Sequence, residues 1–375
     1  MRAAETFPDV APDLSDLEAL AKGGGPFLSV YLNTEADVDN AAMRSEQRWK
    51  ALRRRLAESG APETALAQVD PLIDRAHLSG AVLAVMVDAE RVLLTEHLDE
   101  PLPRDRGSWS RVPDLVPLIR WRQAQVPYVV ALADRGGADL IADRPGASAI
   151  ERTSGDGEPE RKVNPGGWSQ PRYQQRAEND WAATATNVAA DIAKLAQTVD
   201  ARIVVLGGDV RATHMIVGDL PAELASRVHV IDQGRAADGS GHARDEEIRR
   251  LVATAVAEDT VAVLERFKEE IGQQDLAVGG MAPTIDALNQ AAVAVLLVHD
   301  DVDDQTAWAG PEPVPLGLQR DDDAIAGHDI HEVRLADAIV RAALATGASV
   351  RVIPAAGPVA EGVGALLRWP TPPTT

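Results

Sequence analysis

Gly166-Gly167-Trp168-Ser169-Gln170-Pro171-Arg172-Tyr173 opens a run in which Ala177, Trp181, Thr184, Val188, Ile192 and Leu195 recur every three or four residues. That spacing puts one apolar stripe on a helix. Ser169 offers an N-cap oxygen, and Pro171 suits a first helical turn. Upstream, Thr153 to Gly167 is polar and rich in Gly and Pro, the composition of a mobile loop. Before it, Pro127 to Leu132 reads as a strand, Asp134-Arg135-Gly136-Gly137 as a turn, and Ala138 to Ala142 as a returning strand. Downstream, Arg202 to Leu206 is a buried-type strand that ends at Gly207-Gly208, and Val228 to Ile231 is another. Strands interleaved with a long amphipathic helix define an α/β unit.

The same reading extends in both directions. Breakers at Gly23 to Pro26 lead into a strand over Phe27 to Leu32. A helix from Ala41 to Glu58 follows, with Trp49, Leu52 and Leu56 on one face and Arg44, Arg48, Lys50, Arg53, Arg54 and Arg55 on the other. A second helix spans about Pro62 to His77. Asp88-Ala89-Glu90 joins Ala81–Val87 to Arg91–His97 as a hairpin. Towards the C-terminus, Asp245 to Ile271 is one long helix or two abutting ones. Beyond it come a helix at Pro283–Gln290, a strand at Val293–Val298, a helix at Glu332–Thr346 and a strand at Ser349–Ile353. The acidic, Pro-rich stretch from His299 to Asp323 reads as an exposed insertion. The expected organisation is three α/β domains: 1–123, 124–257 and 258–375.

Bulk composition narrows the function. The chain has 375 residues, of which 45% are hydrophobic and only 3% aromatic, so its cores are built from Ala, Val, Leu and Ile. It has no cysteine, which removes disulfides, thiolate metal sites and thiol nucleophiles together. Met1 to Asp16 is acidic and has no apolar segment of signal-peptide type. No apolar run approaches the roughly 18 residues of a membrane helix. A soluble, cytoplasmic protein is expected. The net charge of -21 opposes general nucleic-acid binding, so any RNA contact must come from local basic patches.

Three ordered stretches resemble a known superfamily. Gly166-Gly167-Trp168-Ser169-Gln170-Pro171-Arg172-Tyr173 resembles the release-factor loop Gly-Gly-Gln-Ser-Ala-x-Arg-Phe, which also runs straight into a long helix. Phe267 to Ile271, Val278-Gly279-Gly280 and Ile285 to Leu288 are similar to the start of that family's third domain. Gly347 to Val350 and Gly362 to Trp369 resemble a Pelota-type ending. By these motifs the chain resembles the Pelota and archaeo-eukaryotic release-factor superfamily. Gly25 to Tyr31 resembles its bacterial members, the Balon-type ribosome hibernation factors and their actinobacterial relatives. The resemblance implies a divergent α/β N-domain, a ribonuclease-H-like middle domain and a C-terminal domain of the kink-turn-binding ribosomal-protein type. It also implies binding in the A site of the 70S ribosome, contact with ribosomal RNA, and delivery by elongation factor Tu or another translational GTPase. No cofactor is implied.

Three roles follow: a non-enzymatic ribosome occupant, a hydrolase, and an adaptor that keeps the fold without the ribosome; one residue separates the first two. Water attack on a peptidyl-tRNA ester needs backbone donors close to the ester, and Gly166-Gly167 permit that approach. The family places a water-positioning Gln next. Here the residue is Trp168, which donates one hydrogen bond and accepts none. Gln170 stands two positions later. The catalytic candidates for a release or rescue hydrolase are therefore Gly166, Gly167 and Gln170. A non-enzymatic occupant of idle ribosomes needs no such Gln. Trp168, flanked by Arg161, Lys162, Arg172 and Arg176, is either a base-stacking platform beside phosphate-seeking charges or an aromatic folded onto its own domain. Arg48, Arg53 and Arg54 belong either to an RNA-contacting face or to solvated surface. Gly207-Gly208-Asp209 lacks the spacing of a phosphate loop and reads as a strand-to-helix turn. Asp300, Asp301, Asp303 and Asp304 lack EF-hand spacing, and His214, His242, His328 and His331 form no zinc pattern, so no metal site is expected.

Overall fold

A computed structural model describes residues 14–34, 40–74, 76, 80–134, 136–144, 149–154, 170–232, 241–273, 275–300, 302, 305–355 and 357–371, the side chains of 170–181 and 241–243 excepted. Packing divides the chain into two compact units, one of residues 1–123 with 259–375 and one of residues 124–258. The architecture is mixed α/β throughout, as the sequence leads one to expect.

The discontinuous unit begins with α1 (Ser15–Ala21), β1 (Phe27–Asn33), α2 (Ala41–Glu58), α3 (Glu63–Ile73), β2 (Val82–Val87), β3 (Val92–Leu98), β4 (Arg106–Ser110) and α4 (Val116–Ala124). These strands form one sheet in the order β3-β2-β1-β4, with β1 antiparallel to both neighbours. Every residue of β1 is buried, because both faces of the sheet are covered. Leu28, Val30 and Leu32 pack on Trp49, Leu52 and Leu56 of α2 and on Leu66 and Val69 of α3. The alternate residues Phe27 and Tyr31 face a second core that includes Leu17, Leu118 and residues from beyond 280.

The inserted unit contains β5 (Tyr128–Asp134), β6 (Gly137–Asp143), β7 (Ile150–Ser154), α5 (Gln170–Val199), β8 (Ile203–Gly208), α6 (Val210–Asp219), α7 (Ala222–Ala225), β9 (Val228–Ile231) and the first half of α8 (Gly241–Gln273). Its sheet runs β7-β6-β5-β8-β9, antiparallel across β5–β6–β7 and parallel across β5–β8–β9. Val188, Ile192, Leu195 and Ile216 of α5 and α6 cover one face, and Ile248 with Leu251 and Val252 of α8 covers the other. The chain returns to the first unit through the rest of α8. There follow β10 (Ala277–Gly279), α9 (Met281–Asn289), β11 (Val293–His299), β12 (Thr306–Ala309), β13 (Leu316–Gly317), β14 (His331–Arg334), α10 (Leu335–Ala345), β15 (Ser349–Ile353) and β16 (Val363–Leu367). They build a four-stranded sheet, β10-β16-β11-β15, and a three-stranded one, β13-β12-β14.

Three expectations are corrected. The stretch from His299 to Asp323 is not merely an exposed insertion. Thr306-Ala307-Trp308-Ala309 alternates at strand period, and Ala307, Ala309 and Leu316 are buried in the main core. Glu332 does not start a helix. His331–Arg334 pairs with β12, and α10 begins at Leu335 with Arg334 extended as its N-cap. Thr153 and Ser154 are not loop. They end β7, where Ser154 pairs with Ala138 and its hydroxyl donates to Asp191 Oδ2 at 2.5 Å. In each case tertiary strand pairing outweighs the local pattern, which suggested loop for the first and third stretches and helix for the second.

Candidate functional site

The basic face of α2 is sorted by its neighbours. The helix carries six arginine and lysine residues against Glu46 and Glu58. Arg53 lies on the flank beside α3, where it bonds Glu63 and donates from Nε to Asp70 Oδ1 at 3.1 Å. These carboxylates hold its pKa above the usual guanidinium value, the Glu63 bond acting most strongly. Trp49 Nε1 donates to the same Asp70 oxygen at 2.7 Å, so Arg53 is part of the α2–α3 seam. Arg48, on the opposite flank, meets Asp105 at 3.5 Å. Lys50, Arg54 and Arg55 are exposed, and no ion pair among the described residues involves them. The sequence candidates Arg48 and Arg53 are thus partly committed to internal partners, whereas Arg54 faces solvent.

Of the residues at the entry to α5, Arg161, Lys162, Gly166, Gly167, Trp168 and Ser169 lie outside the described residues. Gln170, Arg172 and Arg176 fall in the first turns of α5, and their side chains lie outside the description too. The later part of the helix is fixed. Val188, Ile192 and Leu195 are each at most 1% exposed, and Thr186 donates to Asp219 Oδ2 at 2.6 Å. The period read in the sequence therefore docks the later part of α5 on the sheet.

A cleft that sequence reasoning missed opens where the parallel strands β5 and β8 end. It is a small crevice of about 20 Å³, room for about one water, with Val188, Met215 and Ile216 among its apolar walls and Asp134, Asp209 and Arg211 around it. Crevices at the carboxyl ends of parallel strands are where open α/β sheets commonly bind ligands. Gly208 makes the local turn. Its φ is +117°, and a Cβ there would stand 1.9 Å from the Ala133 carbonyl oxygen. That close approach lets Asp209 N donate to Ala133 O at 3.0 Å. Asp209 then caps α6, accepting from Arg211 N at 2.9 Å and Ala212 N at 3.1 Å. Gly207-Gly208-Asp209 is the strand-to-helix turn that the sequence indicates. Among the described residues no group of three His, Asp or Glu side chains could hold a metal ion. No helix among them is long and apolar enough to cross a membrane.

Comparison with known proteins gives this arrangement its context. Residues 127–273 match the model of bacterial archaeo-eukaryotic release factor family 2. Uncharacterized proteins from two strains of Mycobacterium tuberculosis are each 29% identical over 367 residues, covering 94% of this chain and 96% of theirs. Similar solved structures include an archaeal translation termination factor (16% identity, 95% of this chain and 97% of that one, TM-score 0.26). Archaeoglobus fulgidus Pelota is 15% identical, with 98% and 96% covered and a TM-score of 0.35. Archaeal Pelota, described together with ABCE1 as ribosome-bound, has the same identity and coverage with a TM-score of 0.44.

Proposed function

We propose that this protein is a ribosome-associated translation factor that enters the A site of the 70S ribosome and, in its finer role, occupies idle ribosomes as a hibernation factor. The observation that carries this reading is the family match over residues 127–273, which falls on the three-layer inserted unit and α8. The exposed cations of α2 supply a local attraction for ribosomal RNA that the acidic whole does not. Elongation factor Tu or another translational GTPase is the proposed carrier.

Co-sedimentation with purified 70S ribosomes across a salt series tests the proposal. Binding is expected, and it should weaken as salt rises. The triple variant Lys50→Glu, Arg54→Glu, Arg55→Glu should lose tenfold or more in affinity, with a salt slope shallower by about two to three, since each lost phosphate contact removes one released counterion. These three residues avoid Arg48 and Arg53, whose reversal would also disturb Asp105, Asp70 and Glu63. Absence from ribosomal fractions at low and physiological salt would contradict the proposal. Affinity and slope equal to wild type in the triple variant would remove α2 from the interface.

The second reading, a peptidyl-tRNA hydrolase of release or rescue type, rests on Gly166-Gly167 and Gln170. With Trp168 at the water-positioning place, wild-type protein is expected to leave peptidyl-tRNA on loaded ribosomes intact. Ester release at release-factor rates, abolished by Gln170→Ala, would favour the hydrolase instead.

A further inference from the structure

The N-terminal and C-terminal segments of the first unit are joined by something unlike an ordinary domain contact. Such contacts within a chain are usually polar and permit relative motion. Here one apolar core runs without a break through Leu17, Phe27 and Leu118 on one side and Leu296, Ala338 and Leu344 on the other. Buried charges are threaded into it. Arg341 of α10 is 1% exposed. Its guanidinium donates to Ala21 O at 3.0 Å and Gly23 O at 2.8 Å in the N-terminal segment, and to Gly310 O at 3.2 Å and Pro311 O in the C-terminal one. Asp114, with 3% of its side chain exposed, takes Arg106 at 3.1 Å from its own segment and Arg334 at 3.0 Å from the other. The side-chain amide of Gln123 bonds the Val352 peptide in both directions, at 2.7 and 2.9 Å. β15 is an edge strand, so Gln123 occupies the place of a neighbouring strand's peptide.

We infer that the two segments meet a partner as one undeformable body, holding the cationic face of α2 and the surface of the C-terminal segment at a fixed span. Sliding or opening this joint would leave the Arg341 guanidinium and the Asp114 carboxylate buried without their partners, which low-dielectric surroundings make costly. The two segments therefore move as one body of fixed geometry. The bound arm of the test below rests on the ribosomal reading, but the inference itself does not.

The chain lacks cysteine, so Ala57→Cys and Asp321→Cys, both at exposed positions, give a clean pair for nitroxide labels on the two segments of the full chain. Pulsed dipolar spectroscopy should give one narrow distance in the free protein, unchanged when purified 70S ribosomes are added. Two distances or a broad distribution in the free protein would overturn the inference, as would a shifted distance on ribosomes. Failure to bind ribosomes would sink only the ribosomal reading, because the free-protein distance still decides this one. Hydrogen exchange of the full chain in rising urea gives a second readout. β1 and β11 amides should lose protection together, and loss in β1 while β11 stays protected would contradict a single body.

Discussion

Arg341→Met is expected to lower the stability of the discontinuous unit by about 4 kcal/mol or more, since each buried carbonyl left without a donor costs roughly 1–3 kcal/mol. Met matches much of the volume, so the loss reports hydrogen bonding more than a cavity. Four carbonyls lose their donor, those of Ala21 and Gly310 in buried surroundings and those of Gly23 and Pro311 in partly buried ones. For a unit of this size that corresponds to a fall of about 10 °C in Tm. Arg341→Lys keeps the charge but gathers its donors at one point, so it should recover only part of the loss. Differential scanning calorimetry of the full chain checks this. A Met variant within about 1 kcal/mol of wild type would mean the guanidinium is not what fixes these loops.

Gly208→Ala should be nearly as damaging, and in the other unit. The added Cβ would meet backbone, the Ala133 carbonyl oxygen at 1.9 Å and carbon at 2.9 Å, so no flexible side chain can yield. At φ +117° the alanine is strained even without the clash. We expect a loss of about 3 kcal/mol or more, with β5 and β8 forced apart and the Asp209 cap of α6 misaimed. Calorimetry and hydrogen exchange should place the effect on residues 124–258. Unaltered protection of β5 and β8 in the variant would show that the strands can absorb the substitution.

These two positions also show what the sequence makes legible. Elements with strong periodicity could be read directly. The α2 stripe of Trp49, Leu52 and Leu56 and the α5 stripe of Val188, Ile192 and Leu195 are the buried faces observed. The turn at Gly207-Gly208-Asp209 was legible from residue type, though its positive φ was not. The short strands β4 and β12 to β14 were illegible because two to five residues carry little periodic signal. Arg341 gave no local sign of burial, since arginine on a helix usually means surface and its acceptors are some 30 and 320 residues away in sequence. The joint between the two ends of the chain was hidden for the same reason. The basic face of α2 was legible as a pattern, but which cations have internal partners depends on Asp70, Glu63 and Asp105, brought in by the fold. The cleft at the β5 and β8 ends needed the strand order, which local pattern does not contain.

Chemical footprinting of ribosomal RNA tests the proposed A-site binding most directly. Purified 70S ribosomes, with and without saturating protein, would be probed with base- and backbone-specific reagents. Protection is expected in the A site at both the decoding and the peptidyl transferase ends, reversed by aminoacyl-tRNA delivered in excess. Saturated ribosomes with an A-site pattern identical to free ribosomes, or protection confined to the outer surface and indifferent to aminoacyl-tRNA, would contradict it.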